Sequence, residues 1–179
     1  MISDTLQKVL NIGIAFSKEK NREKLLDQIL TSAMDITQCD GGTLYINNGE
    51  TLEFSIMITR SQGIHQGGGE GATTLPPVPL SEENVCACGV LYRRLINIPD
   101  VYESSRFDFS GPKKYDAMTG YHTQSMLVVP LEDDREHVIG VVQLINALDE
   151  NGQIIPFAGE YEQILLAMGS QAAICLTNM

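Results

Sequence analysis

The chain has 179 residues, 43% of them hydrophobic, which is enough to bury the core of one compact domain and too many for a disordered tail. Its 23 acidic and 12 basic residues leave a formal charge of −11, and the basic residues are scattered rather than gathered in a stripe, which excludes nucleic acid as a natural partner. No apolar run reaches membrane-spanning length, the start MISDTLQKVL lacks a signal-peptide pattern, and the four cysteines have no disulfide-framework spacing, so the expectation is a cytoplasmic chain with reduced thiols and no membrane contact.

Residues 3–19 place Leu6, Val9, Leu10, Gly13, Ile14 and Phe16 near a three-four repeat, a helix with a stripe suited to a partner helix. Asn21 then caps a second helix in which Leu25, Leu26, Ile29, Leu30, Ala33 and Met34 make a face that should cover a sheet. Asp40-Gly41-Gly42 reads as punctuation, followed by strands Thr43–Ile46 and Leu52–Thr59 around an Asn47-Asn48-Gly49 turn. Residues 63–74 read as loop, and Ser81 as the cap of a helix running to about Tyr92. Leu95–Ile98 is a short strand stopped by Pro99, and Gly111-Pro112 opens a helical stretch over 113–118 that ends at Gly120. Ser125–Glu132 and Val138–Ile145 form a hairpin, because the acidic link between them is too costly to bury. From Ala158 an amphipathic helix carries Tyr161, Ile164, Leu165, Met168, Ala172, Cys175 and Leu176 on one face to the end of the chain.

Few residues invite chemistry. Gly67-Gly68-Gly69-Glu70-Gly71 lacks the Gly-Lys-Ser/Thr ending of a phosphate loop and reads as a flexible surface loop. Cys86 and Cys88 supply too few ligands for zinc and read as small packing residues. His65, His122 and Asp116 have the residue types of a triad, but no serine or cysteine sits in a nucleophile elbow. The expectation is a protein without catalytic residues, metal or cofactor.

The wording TGYHTQSMLVVPL, followed by VIGVVQLIN and the terminal helix, resembles the GAF family of small-molecule sensor domains. Upstream, LLDQILTSAMDITQCDGGTLYI looks like the family's second helix and first strand, TTLPPVPL like the lead into its ligand-side segment, and NIPDVYESSRFDF like its central strand and following loop. The resemblance runs from about residue 20 to the C-terminus and is nearest the bacterial signalling subgroup fused to HD-type phosphohydrolases, response regulators and nucleotide cyclases. It implies an α+β fold: a central antiparallel sheet of about six strands, terminal helices on one face, and short helices and loops over a pocket on the other. It divides the chain into a signalling and dimerisation helix, 1–20, and the GAF domain, 21–179, with its C-terminal helix over 158–179.

Against the family's chemistries, the bilin-carrying pattern fails because Tyr121, not cysteine, precedes His122. The cyclic-nucleotide signature keeps Asn146, Phe157 and Glu162 but has Ala147 and Tyr161 where the family has Lys and Asp. Relatives that reduce free methionine sulfoxide use a cysteine near the fourth helix, where this chain has Met118, Tyr121 and His122, so that enzyme survives as an alternative through Cys86 or Cys88.

The pocket expected on the loop side draws on Phe107, Phe109, Tyr115 and Tyr121 beside Thr119, Thr123 and Ser125, a mixture suited to a small planar ligand. Thr43, Tyr45, Cys86 and Asp116 complete the ligand-binding set. For a phosphate-bearing ligand, such as a cyclic nucleotide, Lys113, Lys114 and the backbone N–H groups at the helix start are the natural contacts. The functional expectation is a regulatory sensor that dimerises through its terminal helices and signals to a fused or partner output domain. An unliganded structural dimerisation module is the other alternative.

Overall fold

The computed structural model describes residues 4–67 and 76–179. The Gly-rich run beyond Gly67 and the first part of TTLPPVPL lie outside the described residues. Two helices open the chain, α1 (Asp4–Lys18) and α2 (Arg22–Thr37). Asn21 caps α2 as its sequence position predicts, accepting from the Lys24 N–H at 3.0 Å. Next come β1 (Cys39–Asn47), β2 (Thr51–Thr59), a 3-10 turn over Arg60–Gln62, β3 (Ile64–Gly67) and β4 (Val78–Pro79). Helix α3 (Val85–Leu91), strand β5 (Ile96–Ile98) and helix α4 (Ser110–Thr119) precede the hairpin β6 (Met126–Glu132) and β7 (Val138–Leu148). Strand β8 (Ile154–Ile155) and helix α5 (Glu162–Thr177) complete the fold.

The strands form one antiparallel sheet in the order β3-β2-β1-β7-β6-β5, with β4 beside β2 and β8 beside β7. The expected α+β architecture is therefore present. Alternation divides the side chains between two cores. On one face Leu44, Leu127, Val129 and Leu144 meet Leu25, Ile29, Leu30 and Met34 of α2 and Leu165, Met168 and Ala172 of α5. Each of the fully buried α2 side chains contributes about 1.5–3 kcal/mol of transfer free energy. On the other face Val128, Val141 and Met126 meet Val85, Cys86 and Val90 of α3 and Phe109 at the entrance to α4.

Several boundaries differ from the sequence reading. Asp40-Gly41-Gly42 is strand, not punctuation: a Cβ on Gly42 would stand 2.8 Å from Leu30 Cδ1, so the glycine lets α2 settle against the sheet. Ile64–Gly67 is an edge strand rather than loop, because its backbone pairs with β2 although its side chains lack an apolar face. Ser81 does not cap α3. Asn84 does, its Oδ1 accepting from the N–H groups of Cys86 (2.9 Å) and Ala87 (3.1 Å), while Ser81 closes the turn before it. A 3-10 turn over Gly159–Tyr161 delays the last helix to Glu162.

Candidate functional site

On the α3–α4 side the sheet does not close completely, and a cavity of about 340 Å³ lies between β1, β2, β6 and β7 and the starts of α3 and α4. That volume falls in the range of small-molecule sites, roughly 300–1,000 Å³. Its floor follows from strand register. Thr43 of β1 stands between Met57 of β2 and Gln143 of β7, and Ile145 pairs with Met126 in the next row. Cys86 of α3 and Gly111, Pro112 and Tyr115 of α4 supply the roof.

Of the residues singled out in sequence, Thr43, Tyr45, Cys86, Tyr115 and Thr123 line this cavity. The others lie elsewhere. Phe109 is buried in the loop-side core, and Phe107 packs edge-on against it and turns to a separate cleft at the β5 edge. Thr119 finishes α4, its hydroxyl donating to the Tyr115 carbonyl at 2.8 Å. Ser125 is fully buried, its Oγ accepting from the Ala147 N–H.

Asp116 and Tyr121 hold the roof in place. The Asp116 carboxylate accepts from the Thr123 N–H and hydroxyl, both at 2.8 Å, and from the Tyr102 hydroxyl. This last bond, with burial, pushes the Tyr102 phenol up to about 12. Tyr121 donates to Asp40 Oδ2 at 2.7 Å and accepts from Asn146 Nδ2 at 3.0 Å. Burial first, and then Asp40, raise the Tyr121 phenol well above its ordinary range. Asn146, buried with φ 58°, also donates to the His122 carbonyl and accepts from the Gln124 N–H, so it ties the 121–124 segment to β7. Tyr115 reaches over the cavity, its hydroxyl 2.8 Å from Gln62 Oε1 and its ring edge-on to Tyr121.

Gln143, Met57, Thr59 and Asn84 also line the cavity and were not singled out in sequence. Gln143 had a legible signal. It is an amide in the middle of the otherwise apolar run 141–145, where alternation calls for an apolar side chain.

The thiols are poor nucleophiles. Burial pushes Cys86 up to about 12, and Cys88, whose Sγ donates to the Glu82 carbonyl, is also raised. Attack by sulfur requires the thiolate, which both environments oppose. The histidines are not brought together with Asp116 as a triad. His65 faces Asp27 of α2 at 3.1 Å, and His122 stacks on Tyr102 with centroids 4.9 Å apart. Among the described residues no cluster of His, Cys, Asp and Glu is placed to hold a metal ion, and no helix is long and apolar enough to cross a membrane.

A six-strand antiparallel path backed by terminal helices, with short helices roofing a cavity on the opposite face, defines an α+β class of small domain. The family model described as "GAF domain" matches residues 21–176, and the chain belongs to that family. It is 26% identical over 168 residues to the dual 3',5'-cyclic-AMP and -GMP phosphodiesterase 11A of Takifugu rubripes, a match covering 90% of this chain and 17% of that protein. The chain thus spans under a fifth of the length of the curated relatives it matches. Its fold is similar to the crystal structure of the GAF domain of Acinetobacter phosphoenolpyruvate-protein phosphotransferase, with a TM-score of 0.72 at 16% identity over 99% of this chain and 96% of that one. It is also similar to free methionine-R-sulfoxide reductase from Neisseria meningitidis in complex with its substrate, with a TM-score of 0.67 at 14% identity over 99% and 93% of the two chains.

Proposed function

We propose that this chain is the non-catalytic, small-molecule-sensing regulatory domain of a cytoplasmic signal-transduction protein, dimeric through its terminal helices. The observation that carries the reading is the cavity whose roof helix is held by side-chain bonds while its floor strands back onto α2 and α5. A ligand seated there bears on Tyr115 and on the roof anchored by Asp116 and Tyr121. Asn146 offers a route from that roof to the end of β7 and onward to α5. The likeness to a cyclic-nucleotide phosphodiesterase supports a regulatory role and makes cyclic AMP and cyclic GMP the first charged ligands to test. An output domain such as an HD-type phosphohydrolase is the proposed recipient of the signal.

The test is a thermal-shift screen with cyclic mononucleotides, free nucleobases, amino acids and keto acids, joined to native mass spectrometry of the protein as isolated. A ligand at a hundredfold excess over its Kd stabilises by about 2.7 kcal/mol, which is readily seen. A shift of that size, reduced by Thr43→Val, supports the sensor. No shift and no co-purified mass replaces it with the unliganded dimerisation module.

A second reading, a thiol-dependent free methionine sulfoxide reductase, is favoured by the place of Cys86 on the cavity wall and opposed by the pKa of its thiol. Turnover of free methionine sulfoxide that disappears in Cys86→Ser would establish it. No turnover by the unmodified protein removes it.

A further inference from the structure

Resting on the sensor reading, we infer that the cavity takes an uncharged planar heterocycle carrying an adjacent hydrogen-bond donor and acceptor on one edge, as free nucleobases do, and that Gln143 is the residue that reads that edge. The first observation is the state of the Gln143 amide. It stands mid-strand on the cavity floor, where β7 lies between β1 and β6, and its Nε2–H has the Met126 thioether at 3.2 Å for a partner. A thioether is a weak acceptor, so the amide of this cavity-lining residue keeps hydrogen-bonding capacity for a ligand. The complement of a side-chain amide is a lactam or amidine edge, which offers an acceptor and a donor side by side. Thr43 pairs with Gln143 across the strands and brings a hydroxyl to the same stretch of floor.

The second observation is charge. None of the described cavity-lining residues is Asp, Glu, Lys, Arg or His. The ionisable ones that remain, Tyr45, Tyr115 and Cys86, are all shifted toward their neutral forms by burial. The two nearby carboxylates are already engaged: Asp116 by Tyr102 and Thr123, Asp40 by Ser61 and Tyr121. Neither of the cations that sequence alone offers to a phosphate, Lys113 and Lys114, is part of the cavity wall, and Lys113 lies over the Tyr102 ring at 5.5 Å. An anion entering this space loses hydration with no cation to meet it, whereas a neutral ring loses little.

Calorimetric titration separates the alternatives, with hypoxanthine, guanine and uracil as neutral probes and cyclic AMP and cyclic GMP as anionic ones. The expected result is binding of at least one free base, with affinity falling roughly tenfold or more in Gln143→Met while the urea midpoint is kept, since a site built around a polar edge discriminates strongly once its partner is removed. Gln143→Leu serves as a second apolar replacement should the Met variant fold poorly. Binding confined to the cyclic nucleotides, or free-base affinity unchanged in both variants, overturns the inference and leaves the sensor reading standing. Failure of every probe overturns the inference; the sensor reading falls with it only if the amino acids and keto acids of the thermal-shift screen also fail and no mass co-purifies.

Discussion

Asp116 shows how much of the roof depends on single side chains. Its carboxylate is the acceptor for the Thr123 backbone and hydroxyl and for Tyr102. Asp116→Ala is expected to lower unfolding stability by about 1–3 kcal/mol, because it leaves a buried Thr123 N–H without a partner; a urea midpoint equal to the parent's would contradict this. The buried thiols give a pH dependence of definite sign. Cys39 and Cys86 have an ordinary value of 9.0 and are pushed by burial to about 12 in the folded chain. Between these values the unfolded chain releases protons that the folded one retains, so their contribution is complete below about pH 9 and is lost as pH rises toward 12. Each thiol should make stability fall by about 1.4 kcal/mol per pH unit in that window. Urea denaturation at pH 8 and pH 10.5 should show the fall, and Cys86→Ala should flatten it; equal slopes in parent and variant would place the cause elsewhere. Residue type was legible here in part. Thr43, Tyr45 and Tyr115 of the expected set lie on the cavity wall, whereas Phe109 and Ser125 are buried away from it, because an aromatic or a hydroxyl reads the same in sequence whether it faces a cavity or fills the layer beside it.

Helices and strands were legible where periodicity is long and local, as in α2, β6 and β7, and obscure where a remote contact decides. Gly140 is an example. A Cβ there would lie 2.6 Å from the Tyr45 carbonyl oxygen, which is strand backbone and cannot rotate aside as Leu30 can for Gly42. Gly140→Ala should therefore cost about 1–3 kcal/mol by forcing β1 and β7 apart, more than Gly42→Ala in a paired chemical-denaturation series; the reverse order would mean that the strands yield more easily than the core. Nothing in the local sequence announces that contact, since it depends on the register of β7 against β1. The roof helix α4 carries a complementary expectation. Tyr115 joins it to Gln62 at the end of the 3-10 turn, an exposed bond between elements far apart in sequence. Tyr115→Phe should leave the melting temperature nearly unchanged, because an exposed hydrogen bond adds little net stability, while amide exchange across Ser110–Thr119 rises as α4 opens more often. Unchanged exchange would mean that Asp116 and Tyr121 hold the roof without help from Tyr115.

At the scale of the whole molecule, the helix face of the sheet is covered within the chain by α2 and α5, so α1 is the helix with apolar surface to spare. Phe16 is buried and Ile12 packs against the main core, yet Leu10 and Ile14, one turn apart, are 48% and 52% exposed. Residues four apart share a helix face, which makes the pair a short apolar ridge on a protein whose net charge is −11. Such a ridge, on the helix the sequence reading assigns to dimerisation, is where the proposed dimer would bury apolar area. The wild-type chain is accordingly expected to sediment as a dimer at high concentration and to dissociate on dilution. Leu10→Glu with Ile14→Glu should give a monomer whose thermal unfolding matches that of the dissociated parent, because neither side chain belongs to the core. A parent that is monomeric at every concentration would remove the terminal-helix dimer from the proposed mechanism. A double variant that loses its fold as well as its partner would instead assign α1 to the domain itself, as part of the packing of α5 rather than a surface for a second copy.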